Sequence, residues 1–328
     1  MTSNRPILIA TRGSALALAQ SNMILAECRA AFPTLAFELQ IIKTTGDKMQ
    51  TASLAQENKA LPKGLFTKEL EVALINQDAD LAVHSLKDLP TELPPGLKLG
   101  AVGKRENVRD VLIYRDAKFV KAKPELRGYP PNLKLKDLPA GAVIATSSTR
   151  RKAQLLAHHP KLKIVDIRGN VATRMQKLMV KSELDATVLA LAGITRLNFK
   201  ITPEGKLLGD AVPDGLLATV LDVDMMLPCV GQGAIGIEVR ADDERIKEIC
   251  ARLNHYDTMQ AVTAERAFLA AMGGGCQSPV GAYAEVAGEK LHMRAVSFLH
   301  ETVRRAEANR PIKEAVELGE QIAGELRD

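Results

Sequence analysis

The chain has 328 residues, 46% of them hydrophobic and 25% charged, which is enough core-forming material for two or three folded domains and excludes a disordered chain. No apolar run approaches the roughly 20 residues that cross a bilayer, and Pro6 leads straight into Ile7-Leu8-Ile9-Ala10 with no signal-peptide pattern, so a cytoplasmic protein without a membrane partner is expected. The net charge of +5 decides nothing by itself, whereas the absence of Trp, with only four Tyr and seven Phe, leaves little to stack on bases and argues against nucleic acid as a partner.

In chain order, residues 7–10 read as a buried strand and Thr11 or Ser14 as the cap of a helix through Ala15, Leu18, Met23 and Ile24. Residues 36–42 alternate as a strand, 66–76 have the apolar period of a helix, and 81–83 form another strand. The unit recurs as strand 142–145, helix 151–157, strand 164–167, helix 171–180 and strand 186–189. This alternation predicts parallel sheets covered by helices. Residues 118–136, rich in Lys and Pro, and 198–215, rich in Gly, Pro and Asp, read as exposed loops or insertions. A strand at 234–239, helices at 242–253 and 259–271, strands at 281–286 and 291–298, and a last helix from Ile312 predict a small α+β domain at the end.

Three constellations bear on chemistry. Thr146-Ser147-Ser148-Thr149-Arg150-Arg151 stands where a strand gives way to a helix, so hydroxyls, unpaired helix-start N–H groups and two guanidinium groups can hold an anion there. Arg12, Arg168-Gly169-Asn170 and Arg174 follow other strand ends, and in open α/β sheets these converge on the ligand crevice. An ordinary Ser/Thr cap with solvated arginines is the competing reading. His84-Ser85-Leu86-Lys87-Asp88 places a carboxylate, ionised beside positive charge, among these anion binders. That suits a reaction in which positive charge develops on an acidic substrate; an acidic turn cap remains open, and His84 alone reads as a structural histidine. Finally, Gly273-Gly274-Gly275-Cys276 offers an approachable thiol, or a plain loop with a buried cysteine. The cysteines at 28, 229, 250 and 276 have no C-x-x-C spacing, so neither a disulfide framework nor a metal site is expected.

Together these residues resemble the porphobilinogen deaminase (hydroxymethylbilane synthase) family. The resemblance rests on Thr11-Arg12-Gly13-Ser14, Thr44-Thr45-Gly46-Asp47, Lys63-Gly64-Leu65-Phe66, the segment from His84 to Pro90, that from Thr146 to Arg151, Arg168-Gly169-Asn170-Val171, Leu189-Ala190-Leu191-Ala192-Gly193, Gly231-Gln232-Gly233-Ala234 and Gly274-Gly275-Cys276, in order along the chain. It implies an α/β fold of two periplasmic-binding-protein-like lobes plus a small α+β C-terminal domain, with domain limits 1–104 and 234–252, 105–233, and 253–328. It further implies a monomeric transferase of tetrapyrrole (porphyrin and haem) biosynthesis. Porphobilinogen would be tetrapolymerised with loss of ammonia to hydroxymethylbilane, on a dipyrromethane cofactor held by a thioether to Cys276.

By the same resemblance Asp88 is catalytic, stabilising the cationic azafulvene left when ammonia departs. Lys87, Ser85, Thr146, Ser147, Ser148, Arg150, Arg151, Arg168, Gly169 and Asn170 would bind the cofactor. Arg12, Ser14, Lys63, Phe66, Arg174, Ala190, Arg196 and Gln232 would bind substrate, with Phe66 stacking on a pyrrole. This chain departs from the family pattern at Ala15, in place of a proline, at Ala60-Leu61-Pro62, in place of a Gly-Gly pair, and at Thr149, in place of an apolar residue. A second reading is a two-lobed protein that binds an anion without chemistry. Asp88 and Cys276 separate the two, since neither helps simple anion capture.

Overall fold

The structure, a computed structural model, describes residues 5–45, 66–275 and 277–327. Strand β1 (Ile7–Arg12) is an apolar run that lies parallel to β2 (Phe37–Ile42) and β3 (Leu81–Ser85), as expected of a strand covered on both faces. Helices α1 (Ala15–Ala31) and α2 (Lys68–Ile75) follow β1 and β2, while β4 (Leu97–Val102) and β12 (Ile235–Arg240) complete a sheet of order β2-β1-β3-β12-β4.

A second sheet has the order β11-β5-β8-β6-β7, built from β5 (Asp110–Arg115), β6 (Val143–Ala145), β7 (Lys163–Val165), β8 (Ala186–Ala190) and β11 (Leu216–Val220). Helices α3 (Thr149–His158), α4 (Val171–Val180) and α5 (Leu191–Arg196) follow β6, β7 and β8. In the third unit, α6 (Glu244–Leu253) leads to α7 (Tyr256–Ala271), which packs with α8 (Ala315–Arg327) on the antiparallel strands β13 (Val280–Ala287), β14 (Lys290–Ser297) and β15 (Arg304–Pro311).

The sheets are mixed, not purely parallel. β12 runs against β3 and β4, and β5 runs against β8 and β11. These are the first strands after the two places where the chain crosses between the lobes, so each enters its sheet from the hinge side, opposite to the strands that end there. The segment at 118–136 is not simply exposed: it buries Val120, Leu126, Tyr129, Leu133 and Leu135, and the Tyr129 ring meets Tyr114 edge-on at 6.2 Å. Likewise 198–215 forms a short hairpin, β9 (Lys200–Ile201) with β10 (Leu207–Leu208), and buries Phe199 and Leu207. Isolated apolar residues scattered among Lys, Pro and Gly have no period, and only the tertiary partner buries them.

Candidate active site

Strand ends of both lobes supply the site. At the end of β3 the chain makes a 3₁₀ turn, Leu86–Asp88. Leu86 and Leu89 are buried with Val102, Ala234 and Val262, and between them Lys87 is half-buried while Asp88 is exposed. Ser85 Oγ is held by the side-chain amide of Gln20 at 2.9 Å. His84 Nε2 lies 3.0 Å from Glu238 Oε2, both buried, without hydrogen-bond alignment. Helix α1 lies against α5, where a Cβ added at Gly193 would lie 3.6 Å from Leu16 Cδ2, so the two lobes face one another here.

Many of the polar groups at these strand ends are occupied in building helix starts. Ser14 Oγ accepts from Ala17 N–H at 3.3 Å, Ser148 Oγ from Arg151 N–H at 3.3 Å, and Asn170 Oδ1 from Thr173 N–H at 2.9 Å. Ser147 Oγ joins β6 to the segment after β7, accepting from Ile167 N–H at 3.0 Å and donating to Ile167 O at 2.9 Å. Thr146 is buried and accepts from Ser148 N–H. Each cap satisfies one orphan N–H and leaves the others of the first turn available to an anion.

Arg150 and Arg151 turn inward. Arg150 Nη2 and Arg151 Nη2 each lie 2.7 Å from a different oxygen of Asp110, at the start of β5, and the remaining Nη groups donate to Leu227 O at 2.6 Å and Val188 O at 2.8 Å. Burial alone would raise the Asp110 carboxyl; the two guanidinium groups outweigh it and hold it well below the usual carboxylate range. The Nε groups of both arginines are buried without a hydrogen-bond partner among the described residues.

Asp88 therefore stands in a cationic surround. Burial pushes the Lys87 ammonium down, opposed chiefly by the charge of Asp88, with Arg151 adding to the depression. Burial and then Arg151 lower Arg174 to about 10, while Asp88 acts the other way; Arg174 Nε also donates to Gly169 O at 2.8 Å. Arg168 is exposed, Ala190 ends β8, and the Arg12 guanidinium lies 4.3 Å from the centroid of the Phe66 ring.

Two of the expected substrate binders make their hydrogen bonds to the segments that cross between the lobes. Gln232 is buried, its Nε2 donating to Val108 O at 2.6 Å and Asp110 Oδ1 at 3.1 Å. Arg196 Nη2 donates to Gly233 O at 2.7 Å. Lys63 and Cys276 lie outside the described residues. Next to the latter, Gln277 O accepts from Thr149 Oγ1 at 2.7 Å, which brings the glycine-rich turn to the start of α3.

Sequence reasoning passed over Asp110, Arg105, Glu265 and Arg266. Arg105 makes a two-pronged ion pair with the buried Glu265, at 2.7 and 3.0 Å, and its Nε donates to Gln232 O. The available signal was a charged residue at the head of an apolar strand, Asp110, and a Glu-Arg pair inside the apolar helix α7; buried charges of this kind need partners.

Residues 7–248 match the model of "Porphobilinogen deaminase, dipyromethane cofactor binding domain", and residues 259–328 that of its C-terminal domain. The porphobilinogen deaminase of Carboxydothermus hydrogenoformans is 41% identical over 324 residues, covering 98% of this chain and 94% of that protein. That of Desulforudis audaxviator is 43% identical over 326 residues, again covering 98% and 94%. Among solved structures, the BenM effector-binding domain with its effector benzoate aligns with a TM-score of 0.41 at 18% identity, over 82% of this chain and 93% of that one, a distance from which nothing about function follows. Matched along nearly its whole length, the chain belongs to the porphobilinogen deaminase family.

Proposed function

We propose that Asp88 is the catalytic group in the reaction of this transferase, the polymerisation of porphobilinogen with loss of ammonia to hydroxymethylbilane in tetrapyrrole biosynthesis. The observation that carries this is the exposed Asp88 carboxylate, left outside by the buried Leu86 and Leu89 and acting on the charges of Lys87 and Arg174. As ammonia leaves, positive charge develops on the substrate pyrrole, and a fixed carboxylate stabilises it where it forms. The surrounding cations bind the acetate and propionate groups, so binding and charge stabilisation fall to residues of opposite sign.

The dipyrromethane cofactor fits this donor set. Arg168, Arg174 and Lys87, the helix starts of α3 and α4, and the Nε groups of Arg150 and Arg151, buried without a hydrogen-bond partner among the described residues, are what a ligand bearing several carboxylates requires. When bound, the cofactor supplies the growing end to which each unit is joined. Attachment at Cys276 is supported by the state of the other cysteines. Burial raises Cys28 to about 12 and Cys250 to about 11, and also raises Cys229 against the opposing pull of Arg150 and Lys87, so these three are poor nucleophiles. The same reading takes 1–104 with 234–252, 105–233 and 253–328 as the domains of a cytoplasmic monomer. Among the described residues no helix is long and apolar enough to cross a membrane.

The test is Asp88→Asn, with intact mass measured beside steady-state turnover. The expected result is a protein that keeps its covalent dipyrromethane and binds substrate, with turnover down about 10²- to 10³-fold, and a Cys276→Ala protein lacking the added mass. Near-normal turnover in Asp88→Asn removes Asp88 from the chemistry.

A further inference from the structure

The segment that leaves the Asp88 turn is gripped by the C-terminal unit. Helix α7 presents Met259, Val262 and Arg266 at spacings i, i+3 and i+7, which lie along one face. Val262 is buried with Leu86 and Leu89, and Met259 packs on the same cluster. One turn beyond Val262, Arg266 Nη1 donates to Leu89 O at 3.1 Å, and Nη2 donates to Pro90 O at 2.6 Å and Thr91 O at 3.2 Å. One guanidinium thus serves three consecutive carbonyls immediately after Asp88. Among the described residues no backbone N–H donates to these carbonyls, so the exit of the turn is not held by a strand ladder.

The opposite side of the turn is fixed by backbone contact. A Cβ at Gly231 would lie 3.2 Å from both Leu86 C and Lys87 N, so the crossing segment already sits against Leu86. Leucine burial sets how deep the turn sits; the direction in which residues 89–91 leave it is set by Arg266. The same helix ends just before Gly273 and the glycine-rich turn that leads to Cys276.

We propose that Arg266 is a positioning residue for the reaction, holding the backbone that aims the Asp88 carboxylate and tying it to the helix that leads to the cofactor turn. This rests on the assignment of Asp88 as the catalytic group. Misplacement of a reacting group by about 1 Å can cost up to about 10²-fold in rate. Loss of the guanidinium acts in this way while leaving the anion-binding groups in place, so kcat falls and KM does not.

The experiment is a double-mutant cycle on the cofactor-loaded enzyme, with Arg266→Leu, Asp88→Asn and the double variant, plus Arg266→Lys. Arg266→Leu is expected to keep the dipyrromethane mass and a KM within about twofold, and to lose kcat about 10- to 100-fold. Arg266→Lys, with a charge but no planar fork, recovers part of the loss. In the Asp88→Asn background, Arg266→Leu costs less than about twofold, because residues acting through one another are non-additive. Full kcat in Arg266→Leu overturns the proposal, and so does the same proportional loss in both backgrounds. Should Arg266→Leu fail to fold, Arg266→Lys in both backgrounds reads the same coupling. Normal turnover in Asp88→Asn overturns both this inference and the assignment beneath it, whereas loss in Asp88→Asn with none in Arg266→Leu overturns this inference alone.

Discussion

Arg150 and Arg151 share one carboxylate, Asp110, and that pairing decides what they can do for a ligand. Each commits Nη groups to Asp110 and to a carbonyl, so their positions are set before any ligand arrives and only part of each fork of five N–H donors remains for further bonding. Removing the carboxylate leaves two buried guanidinium groups without a counter-charge. Asp110→Asn is therefore expected to destabilise the fold by about 3–5 kcal/mol, measured by urea unfolding. The pH dependence follows from the sign of the shift. The carboxyl titrates lower in the folded than in the unfolded protein, so its stabilisation is fully present above the ordinary value of about 3.9 and is lost as pH falls through the depressed folded value. The gap between wild type and Asp110→Asn should be flat from about pH 5 to 8 and narrow below about pH 4. A gap that shrinks between pH 5 and 8 would show that another group is titrating.

Among the described residues, helix starts divide by location. α1, α3, α4 and α5, which begin directly after β1, β6, β7 and β8, have no acidic residue in the first turn, whereas α2, α6, α7 and α8 have Glu69 and Glu71, Glu244, Asp257, and Glu317 respectively. An acid in the first turn favours a helix by about 0.3–1 kcal/mol, yet it would occupy the place of an acidic ligand. Ala172→Glu, in the first turn of α4, separates these effects. It should leave the melting temperature unchanged or higher and raise KM for porphobilinogen; an unchanged KM in the steady-state assay would mean that the start of α4 does not face the ligand.

The lobes are joined by two crossing segments that touch. Glu106 N–H donates to Gly233 O at 3.0 Å, and Arg105 links Gln232 O to Glu265 of the C-terminal unit. Glu265, fully buried, also accepts from Gly231 N–H and Ala284 N–H, both at 2.8 Å. Gly233 has φ +86°, and a Cβ there would lie 2.4 Å from Glu106 O, a backbone atom that cannot rotate away. Gly233→Ala is expected to cost at least about 1–3 kcal/mol from the backbone conformation alone, read as a lower melting temperature. A wild-type melting temperature would show that the crossings can separate at no cost.

Local pattern determined much of this protein. Strand and helix alternate in the first two units because apolar period is a short-range property. The helix cap at Ser14 lies where a hydroxyl precedes an apolar run, and the motifs from Thr11 to Cys276 carry the resemblance to the family in the sequence itself. What tertiary structure alone decided depends on partners distant in the chain. β5 and β12 run backwards because they enter from a hinge that sequence periodicity does not reveal. β15 has only Ala306 and Ala308 packed against the core, too small a signal among its charges to mark a strand. The arginines at 150 and 151 read as free anion binders until Asp110, 40 residues away, is brought beside them, and Arg266 reads as a surface charge until residues 89–91 fold beneath it. A charge has no period, so the sequence shows that it exists while only the fold determines what it faces.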